Sequence, residues 1–149
     1  MLREYFKYFL IAILIIVIDQ LIKYIFVSGF RIDGSCISGV LTFNKGVAFS
    51  MFAFLDEYLK WIQILIISFG IFYVIRFVEK IYFIPATIIL GAGISNISDR
   101  FTYDGVVDYV YWHCGFDFAI FNFADVMIDF GVVWILYLTY KENKKEKFS

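Results

Sequence analysis

Long apolar stretches alternate with shorter polar segments along the 149 residues. Four apolar stretches, at about residues 8–27, 60–78, 81–98 and 119–140, approach the roughly 20 residues that an α-helix needs to cross a bilayer. The intervening segments, at about 28–59 and 99–118, are more polar and rich in turn residues. The pattern predicts an all-α membrane protein with four transmembrane helices, forming a single integral membrane domain over residues 1–149.

The first long polar segment has a different pattern from the helices. Residues 28–59 contain short alternating stretches together with Gly34, Gly39 and Gly46. Alternation with glycine-rich punctuation favours small strands and turns over a helix. We therefore expect a small β platform between the first and second spans.

Composition agrees with a membrane class and excludes others. Hydrophobic residues make up 62% of the chain and charged residues 18%, whereas soluble domains have about 45–50% and about 25%. The net charge of −1 gives no reason to expect a nucleic-acid partner. The first stretch ends without a small-x-small cleavage site, so we expect it to be retained as a span.

The positions of lysine and arginine predict the orientation. With four spans, eight basic residues fall on one side: Arg3, Lys7, Arg76, Lys80, Lys141, Lys144, Lys145 and Lys147. The other side has four: Arg31, Lys45, Lys60 and Arg100. Because basic residues near spans concentrate in the cytoplasm, both termini are expected there and both long polar segments outside.

The two cysteines and the one histidine give little reason to expect a metal. A zinc site needs three or four ligands, and Cys36, Cys114 and His113 would be a poor set. The two cysteines are expected on the same side of the membrane. A disulfide between them is compatible with this placement, but two free thiols are favoured.

Several polar residues fall within or beside the spans. Asp19 and Lys23 are four residues apart in the first span, which predicts a mutually compensating buried pair, with a direct catalytic role as the alternative. At the end of the third span, Asp99 and Arg100 are candidates for an interfacial ion pair. Arg100 could equally bind a carbonyl or a lipid head group.

Acids at the edge of apolar segments are the clearest candidates for catalytic residues. Asp108 and Asp125 could converge at one membrane surface, and two close carboxyls can share a proton as in aspartic proteases. Asp129 lies one helical turn beyond Asp125, and helical spacing alone does not decide between them. The competing interpretations are a small proton- or ion-coupled transporter component, with acids spread across the bilayer, and a non-catalytic membrane scaffold.

Five short motifs occur in a fixed order along the chain. They are Asp19-Gln-x-x-Lys23, Asn44-x-Gly-x-Ala-Phe49, Asn96-x-x-Asp-Arg100, Gly105-x-Val-x-Asp-Tyr109 and Phe121-Asn-x-Ala-Asp125. Each motif is weak alone, but together they resemble the lipoprotein signal peptidases, the type II signal peptidases. The resemblance extends from about Asp19 to Asp129.

The resemblance implies an aspartyl endopeptidase without a cofactor in the bacterial cytoplasmic membrane. Such an enzyme removes the signal peptide from prolipoproteins just before a diacylglyceryl-modified cysteine, so its partners are that substrate and membrane lipids. We expect a monomer with its active site on the extracytoplasmic side.

The same resemblance assigns roles to individual residues. The family's catalytic pair matches Asp108 and Asp125, and the Asp19–Lys23 motif is interpreted as structural. Positions that support the dyad or the substrate match Asn44, Asn96, Arg100 and Asn122. Two departures stand out: Ser95 replaces a common glycine, and Asp129 is an additional acid where a small or apolar residue is expected.

Overall fold

The computed structural model describes residues 2–46, 53–55 and 57–148, in which long helices alternate with two strands. The helices are α1 (Leu2–Val27), α2 (Glu57–Phe77), α3 (Phe83–Thr102) and α4 (Phe123–Phe148), and the strands are β1 (Ile37–Asn44) and β2 (Val106–Trp112). Short 3-10 turns cover Ala53–Leu55 and Lys80–Tyr82. All four helices are long and apolar enough to span a membrane, so the predicted four-helix class with a small sheet is confirmed.

Helix α3 occupies the centre of the bundle, because α1, α2 and α4 all pack against it. The buried contacts between them centre on Ile15 of α1, Ile88 and Ala92 of α3, and Ala124 of α4. Close approach of α1 requires a glycine at Gly91, where a Cβ would lie 3.0 Å from the Cα of Ala12. The outward faces carry exposed apolar side chains, as expected for helices surrounded by lipid.

The first helix ends in a glycine-dependent turn. Gly29 has φ 105°, in the left-handed region that favours glycine. Its N–H donates to the carbonyl of Phe26 at 3.1 Å, and the N–H of Phe30 donates to the carbonyl of Ile25 at 3.3 Å. This Schellman-type ending stops the helix and directs the chain into β1.

The two strands form an antiparallel sheet at one end of the bundle. Asn44 pairs with Val106 and Thr42 with Asp108, and the register shifts between Gly39 and Thr42. Because β1 follows α1 and β2 follows α3, their pairing brings the two long polar segments of the sequence together. The ring of Tyr109 on β2 stacks on Phe26 of α1 at 4.5 Å, which fixes the sheet against the bundle.

The fourth helix begins at Phe123, later than the start of its apolar stretch at 119. Phe121 forms an antiparallel bridge with Val110, so residues just before the helix extend the sheet instead. The helix therefore starts directly beside β2, which brings the beginning of α4 close to Asp108.

Cys36 and Cys114 form a disulfide, so the expectation of two free thiols was wrong. Cys36 immediately precedes β1 and Cys114 follows β2. Pairing of the strands brings the cysteines together, and the N–H of His113 donates to the carbonyl of Cys36 at 2.9 Å. The two cysteines are 78 residues apart in the sequence, so local patterns did not predict that they lie close together.

Candidate active site

A cavity of about 610 Å³ lies between α2, α3, α4 and the sheet. Its polar lining comes from Asn44, Gln63, Asn96, Arg100, Asp108, Asp125 and Asp129. Its apolar lining includes Val106, Phe118, Ile120, Phe121, Val126 and Ile128. The cavity thus gathers both acids of the predicted dyad and three of the four predicted supporting residues. It also includes Gln63, which the sequence analysis missed because no motif contains it.

Asp108 extends from β2 and is 2% exposed. Its Oδ1 accepts a hydrogen bond from Asn122 Nδ2 at 2.7 Å, and its Oδ2 accepts one from Asn44 Nδ2 at 3.1 Å. Burial, followed by the nearby charge of Asp125, raises the pKa of Asp108 to about 6, against the opposing effect of the two amide donors. This carboxyl therefore holds a proton to higher pH than an ordinary aspartate.

Asp125 lies in the first turn of α4 and forms a reciprocal cap with Asn122. The Asn122 side-chain oxygen accepts from the N–H of Asp125 at 2.9 Å, and the Asp125 Oδ2 accepts from the N–H of Asn122 at 3.1 Å. This is the geometry of a capping box, in which two residues three apart satisfy each other's backbone donors. The Asn-x-x-Asp spacing thus explains locally why Asp125 points back toward Asp108.

Asn96 of α3 connects Asp125 to a buried charge cluster. Its Nδ2 donates to Asp125 Oδ1 at 2.9 Å. Its Oδ1 accepts from Asn122 Nδ2 at 3.1 Å and from Lys23 Nζ at 2.8 Å. Because two donors approach the amide oxygen, the NH₂ group is directed to the carboxyl of Asp125.

The predicted Asp19–Lys23 pair is present, but it belongs to a larger cluster. Lys23 Nζ lies 2.6 Å from Asp19 Oδ2 and 2.6 Å from Asp99 Oδ2, and all three side chains are buried. Asp99, a candidate ion-pair partner of Arg100, turns into the bundle toward Lys23 instead. Its Oδ2 also accepts from the N–H of Val107 on β2 at 3.1 Å.

Ser95 and Gln20 complete this cluster and were not singled out for it from the sequence. Ser95 Oγ donates to Asp19 Oδ2 at 2.7 Å. Gln20 Nε2 contacts Ser95 Oγ at 3.0 Å and Asp99 Oδ1 at 2.7 Å. The family that the sequence resembles commonly has glycine at this position. The Ser95 hydroxyl therefore serves as an extra hydrogen-bonding member of the cluster.

The first turn of α4 depends on this cluster and on β2. The N–H of Phe123 donates to the hydroxyl of Tyr109 at 3.0 Å, and the N–H of Ala124 donates to Asp19 Oδ1 at 2.9 Å. With the Asn122 cap on Asp125, three backbone donors that a helix start leaves unpaired are satisfied by side chains. Asp19 on α1 thereby fixes the beginning of the helix that carries Asp125.

Arg100 holds the segment after Asn44. Its guanidinium donates to the backbone carbonyls of Lys45, at 3.2 Å, and Gly46. Asn44 Oδ1 accepts from the N–H of Gly46 at 2.9 Å, while Asn44 Nδ2 donates to Asp108. Ala48 and Phe49 of the same motif lie outside the described residues.

The arrangement can support acid–base chemistry on a bound carbonyl. Two carboxyls face one cavity and are joined through Asn122, which contacts both. Close carboxyls titrate as a coupled pair and can hold a single proton between them. Among the described residues, no group of three or more His, Cys, Asp or Glu side chains is arranged to hold a metal ion.

Comparison with known proteins places this geometry in a family. Residues 11–141 match the model of a family described as signal peptidase (SPase) II. The chain is 61% identical over 128 residues to the lipoprotein signal peptidase of Sulfurimonas denitrificans, covering 85% of this chain and 83% of that protein. It is 52% identical over 140 residues to the lipoprotein signal peptidase of a Sulfurovum species, covering 93% and 96%.

Solved structures share the fold at much lower sequence identity. One bacterial membrane enzyme, determined by the in meso method, has a TM-score of 0.81 at 22% identity and covers 93% of this chain and 90% of its own. A second has a TM-score of 0.75, also at 22% identity, covering 89% and 92%. Since the family match covers most of the chain and relatives share more than half of their aligned residues with it, the chain belongs to the signal peptidase II family.

Proposed function

We propose that this protein is an aspartyl endopeptidase of the bacterial cytoplasmic membrane. Its substrate is a prolipoprotein whose cysteine already carries diacylglycerol, and it cleaves the signal peptide just before that cysteine. Family membership supports the substrate class. The observation that carries the catalytic assignment is the position of Asn122, which donates to Asp108 Oδ1 and to Asp125 Oδ2 beside one cavity.

The two acids have different surroundings, which suits different roles. Burial raises the pKa of Asp108 to about 6, so Asp108 holds the shared proton. Asp125, which like Asp108 accepts two N–H hydrogen bonds, also lies at the positive end of the α4 dipole, and the dipole favours its carboxylate form. We assign Asp108 as the acid and Asp125 as the base.

Hydrolysis then follows in two steps. In the first step, Asp125 takes a proton from a water molecule, and the water oxygen forms a bond to the scissile carbonyl carbon. At the same time, Asp108 gives its proton to the carbonyl oxygen. Return of that proton to Asp108, with transfer of the proton on Asp125 to the leaving amine, breaks the C–N bond. The products are a carboxylic acid, which then ionises by losing its proton to solvent, and a free amine, and the acids regain one shared proton.

The remaining predicted residues support the dyad in this scheme. Asn44, Asn96 and Asn122 orient the two carboxyls, and Arg100 anchors the segment after Asn44. Asp19 and Lys23 are structural. The reaction needs no metal or cofactor, and the enzyme acts as a monomer that does not bind nucleic acid.

The distribution of acids argues against the transporter alternative. Asp99 and Asp129 lie within two turns of the helix ends nearest the sheet, and Asp19 lies eight residues before the end of α1. At 1.5 Å per residue, all three are within about 12 Å of the same side of the bundle. A relay across a hydrocarbon core of about 30 Å would need groups at greater depth.

The test is cleavage of a synthetic diacylglyceryl-modified peptide by the purified protein in detergent. The wild-type protein should release the signal segment, and Asp108→Asn and Asp125→Asn should each lose at least about 100-fold in rate, because each removes one proton-transfer group. Asp129→Asn, one turn away, should be much milder, because Asp129 is not a member of the dyad. Near-normal cleavage by a folded Asp108 or Asp125 variant would disprove the dyad, and ion flux without cleavage would favour the transporter.

A further inference from the structure

The deeper part of the cavity carries two polar side chains that the dyad chemistry does not use. Gln63 on α2 and Asp129 on α4 both line it. Each lies six residues beyond the first residue of its helix, Glu57 and Phe123. At 1.5 Å per residue, both are about 9 Å from helix ends on the sheet side of the bundle. They therefore face one cavity from two helices at comparable depth, about one turn below Asp125.

Both side chains offer hydrogen-bond acceptors that the protein does not satisfy. Gln63 Oε1 is buried and has no hydrogen-bond partner among the described residues. Asp129 is exposed to the cavity and makes no hydrogen bond or ion pair within the described part of the chain. Polar groups at membrane depth are costly unless they are paired, and a molecule that enters the cavity with hydrogen-bond donors would pair both.

We propose that Gln63 and Asp129 form a subsite for the extended backbone of the substrate peptide next to the scissile bond. This subsite rests on the proposed peptidase function. A signal peptide must leave its helical conformation to present a peptide bond to the dyad, and this frees backbone N–H and C=O groups at membrane depth. Gln63 Oε1 and the Asp129 carboxyl accept from such N–H groups, and Gln63 Nε2 donates to a carbonyl.

The acceptor character of the subsite favours peptide over lipid. Ester groups of the diacylglyceryl moiety accept hydrogen bonds but cannot donate them, so they would leave both acceptors unpaired. Peptide backbone supplies donors and acceptors in alternation. The same reasoning explains why position 129 is an acid, where the resemblance leads us to expect a small or apolar residue.

The experiment combines enzyme variants with altered substrates. Gln63→Leu and Asp129→Leu are compared with wild type and with Leu65→Ala, a matched control on the lipid-facing side of α2, where Leu65 is 70% exposed. The substrates are the parent lipidated peptide, four peptides each N-methylated at one backbone amide before the cysteine, and a peptide with ether-linked chains. Steady-state kcat and KM are measured for the full-length protein in detergent.

We expect each Leu variant to raise KM about tenfold on the parent peptide with a smaller change in kcat, whereas Leu65→Ala behaves as wild type. With the wild-type enzyme, at least one N-methylated peptide should show a similar increase in KM. With the Leu variant of the side chain that binds this amide, the same peptide should show no further increase. Asp129→Asn retains one acceptor oxygen, so its increase in KM should be smaller than that of Asp129→Leu. If a Leu variant does not fold, Gln63→Ser and Asp129→Ser, polar but too short to reach the peptide, carry the same expectation.

Three results would overturn the subsite. The first is an unchanged KM in the folded Gln63 and Asp129 variants. The second is that the increase in KM caused by N-methylation adds fully to the increase caused by each variant. The third is that the effect of the variants depends on the ether-linked chains of the substrate and not on its backbone amides. Each of these results is interpretable only if the wild-type protein cleaves the parent peptide and the Asp108→Asn variant does not. Absence of wild-type cleavage would refute the proposed function itself, so the two failures are distinguishable.

Discussion

At the scale of single residues, neutral amides connect the two acids to a buried charge. Asn96 and Asn122 were identified from motifs, but the sequence could not show which atom of each amide faces which partner. Lys23 and Asn96 are 73 residues apart, and their contact exists only because α1 packs on α3. The ammonium of Lys23 fixes the carbonyl side of the Asn96 amide and thereby turns its NH₂ toward Asp125.

The proton on Asp108 predicts a specific pH dependence. In the proposed mechanism the pair carries one proton, so activity should be lost as pH rises through the pKa of Asp108. In kcat/KM, which reports the free enzyme, we expect an alkaline limb with its midpoint at about pH 6. Burial is the largest cause of the raised pKa, so reconstitution into bilayers, which excludes more water, should move this limb to higher pH.

Asn44→Ala provides the control for that assignment. The Asn44 amide donates to Asp108 and so favours its ionised form, opposing the raised pKa. Removing this donor should shift the alkaline limb to higher pH, beyond any overall loss in rate. A limb that stays in place, or that moves to lower pH, would show that Asp108 does not carry the essential proton.

At the scale of helices and strands, the apolar lengths were sufficient to predict four helices, while partners between elements were not predictable. Residues 99–118 read as a polar loop, yet Val106–Trp112 forms a strand because residues more than 60 positions earlier pair with it. Asp99 and Arg100 are neighbours in sequence, but α3 directs Asp99 to Lys23 and Arg100 to the segment after Asn44. Local patterns carry no information about such long-range pairing.

The cluster around Lys23 ties three helices together, which makes its charge balance a stability determinant. Lys23→Met leaves Asp19 and Asp99 as two buried acids without their cation, so we expect a loss of about 3–5 kcal/mol in the free energy of unfolding. Asp19→Asn should cost less, because Lys23 keeps Asp99 and the amide oxygen of Asn still accepts from Ala124. Thermal melting in detergent, with specific activity per folded molecule, provides the comparison.

Asp99 also changes what a double replacement should achieve. An isolated Asp19–Lys23 pair could be replaced by two apolar residues with recovery of much of the stability. Here, Asp19→Leu with Lys23→Met still strands Asp99, so recovery should require replacing Asp99 as well. Normal melting with abolished turnover in Asp19→Asn would instead give this aspartate a chemical role and refute its structural assignment.

At the scale of the whole molecule, the sheet, the disulfide and the cavity all lie at one end of a bundle built around α3. The residues of the motifs lie at this end, whereas the position of Gln63 and the disulfide depend on the packing of segments that are distant in sequence. Disulfides persist in oxidising compartments and are rare in the cytoplasm. The Cys36–Cys114 bond therefore supports, independently of the basic residues, an extracytoplasmic sheet. That the chain is a single domain and a monomer stays a prediction.

The two native cysteines also supply a probe of orientation, because the chain contains no others. In cells with the outer face of the cytoplasmic membrane accessible, a membrane-impermeant reductant followed by an impermeant maleimide should label the wild-type protein. A Cys36→Ser/Cys114→Ser variant with Ser149→Cys should resist that reagent until the membrane is permeabilised, because the excess of lysine and arginine beside the termini predicts that both termini are cytoplasmic. Labelling of this variant at position 149 in intact membranes would show that the topology is inverted. The dyad would then face the cytoplasm, where translocated prolipoproteins could not reach it with their modified cysteine.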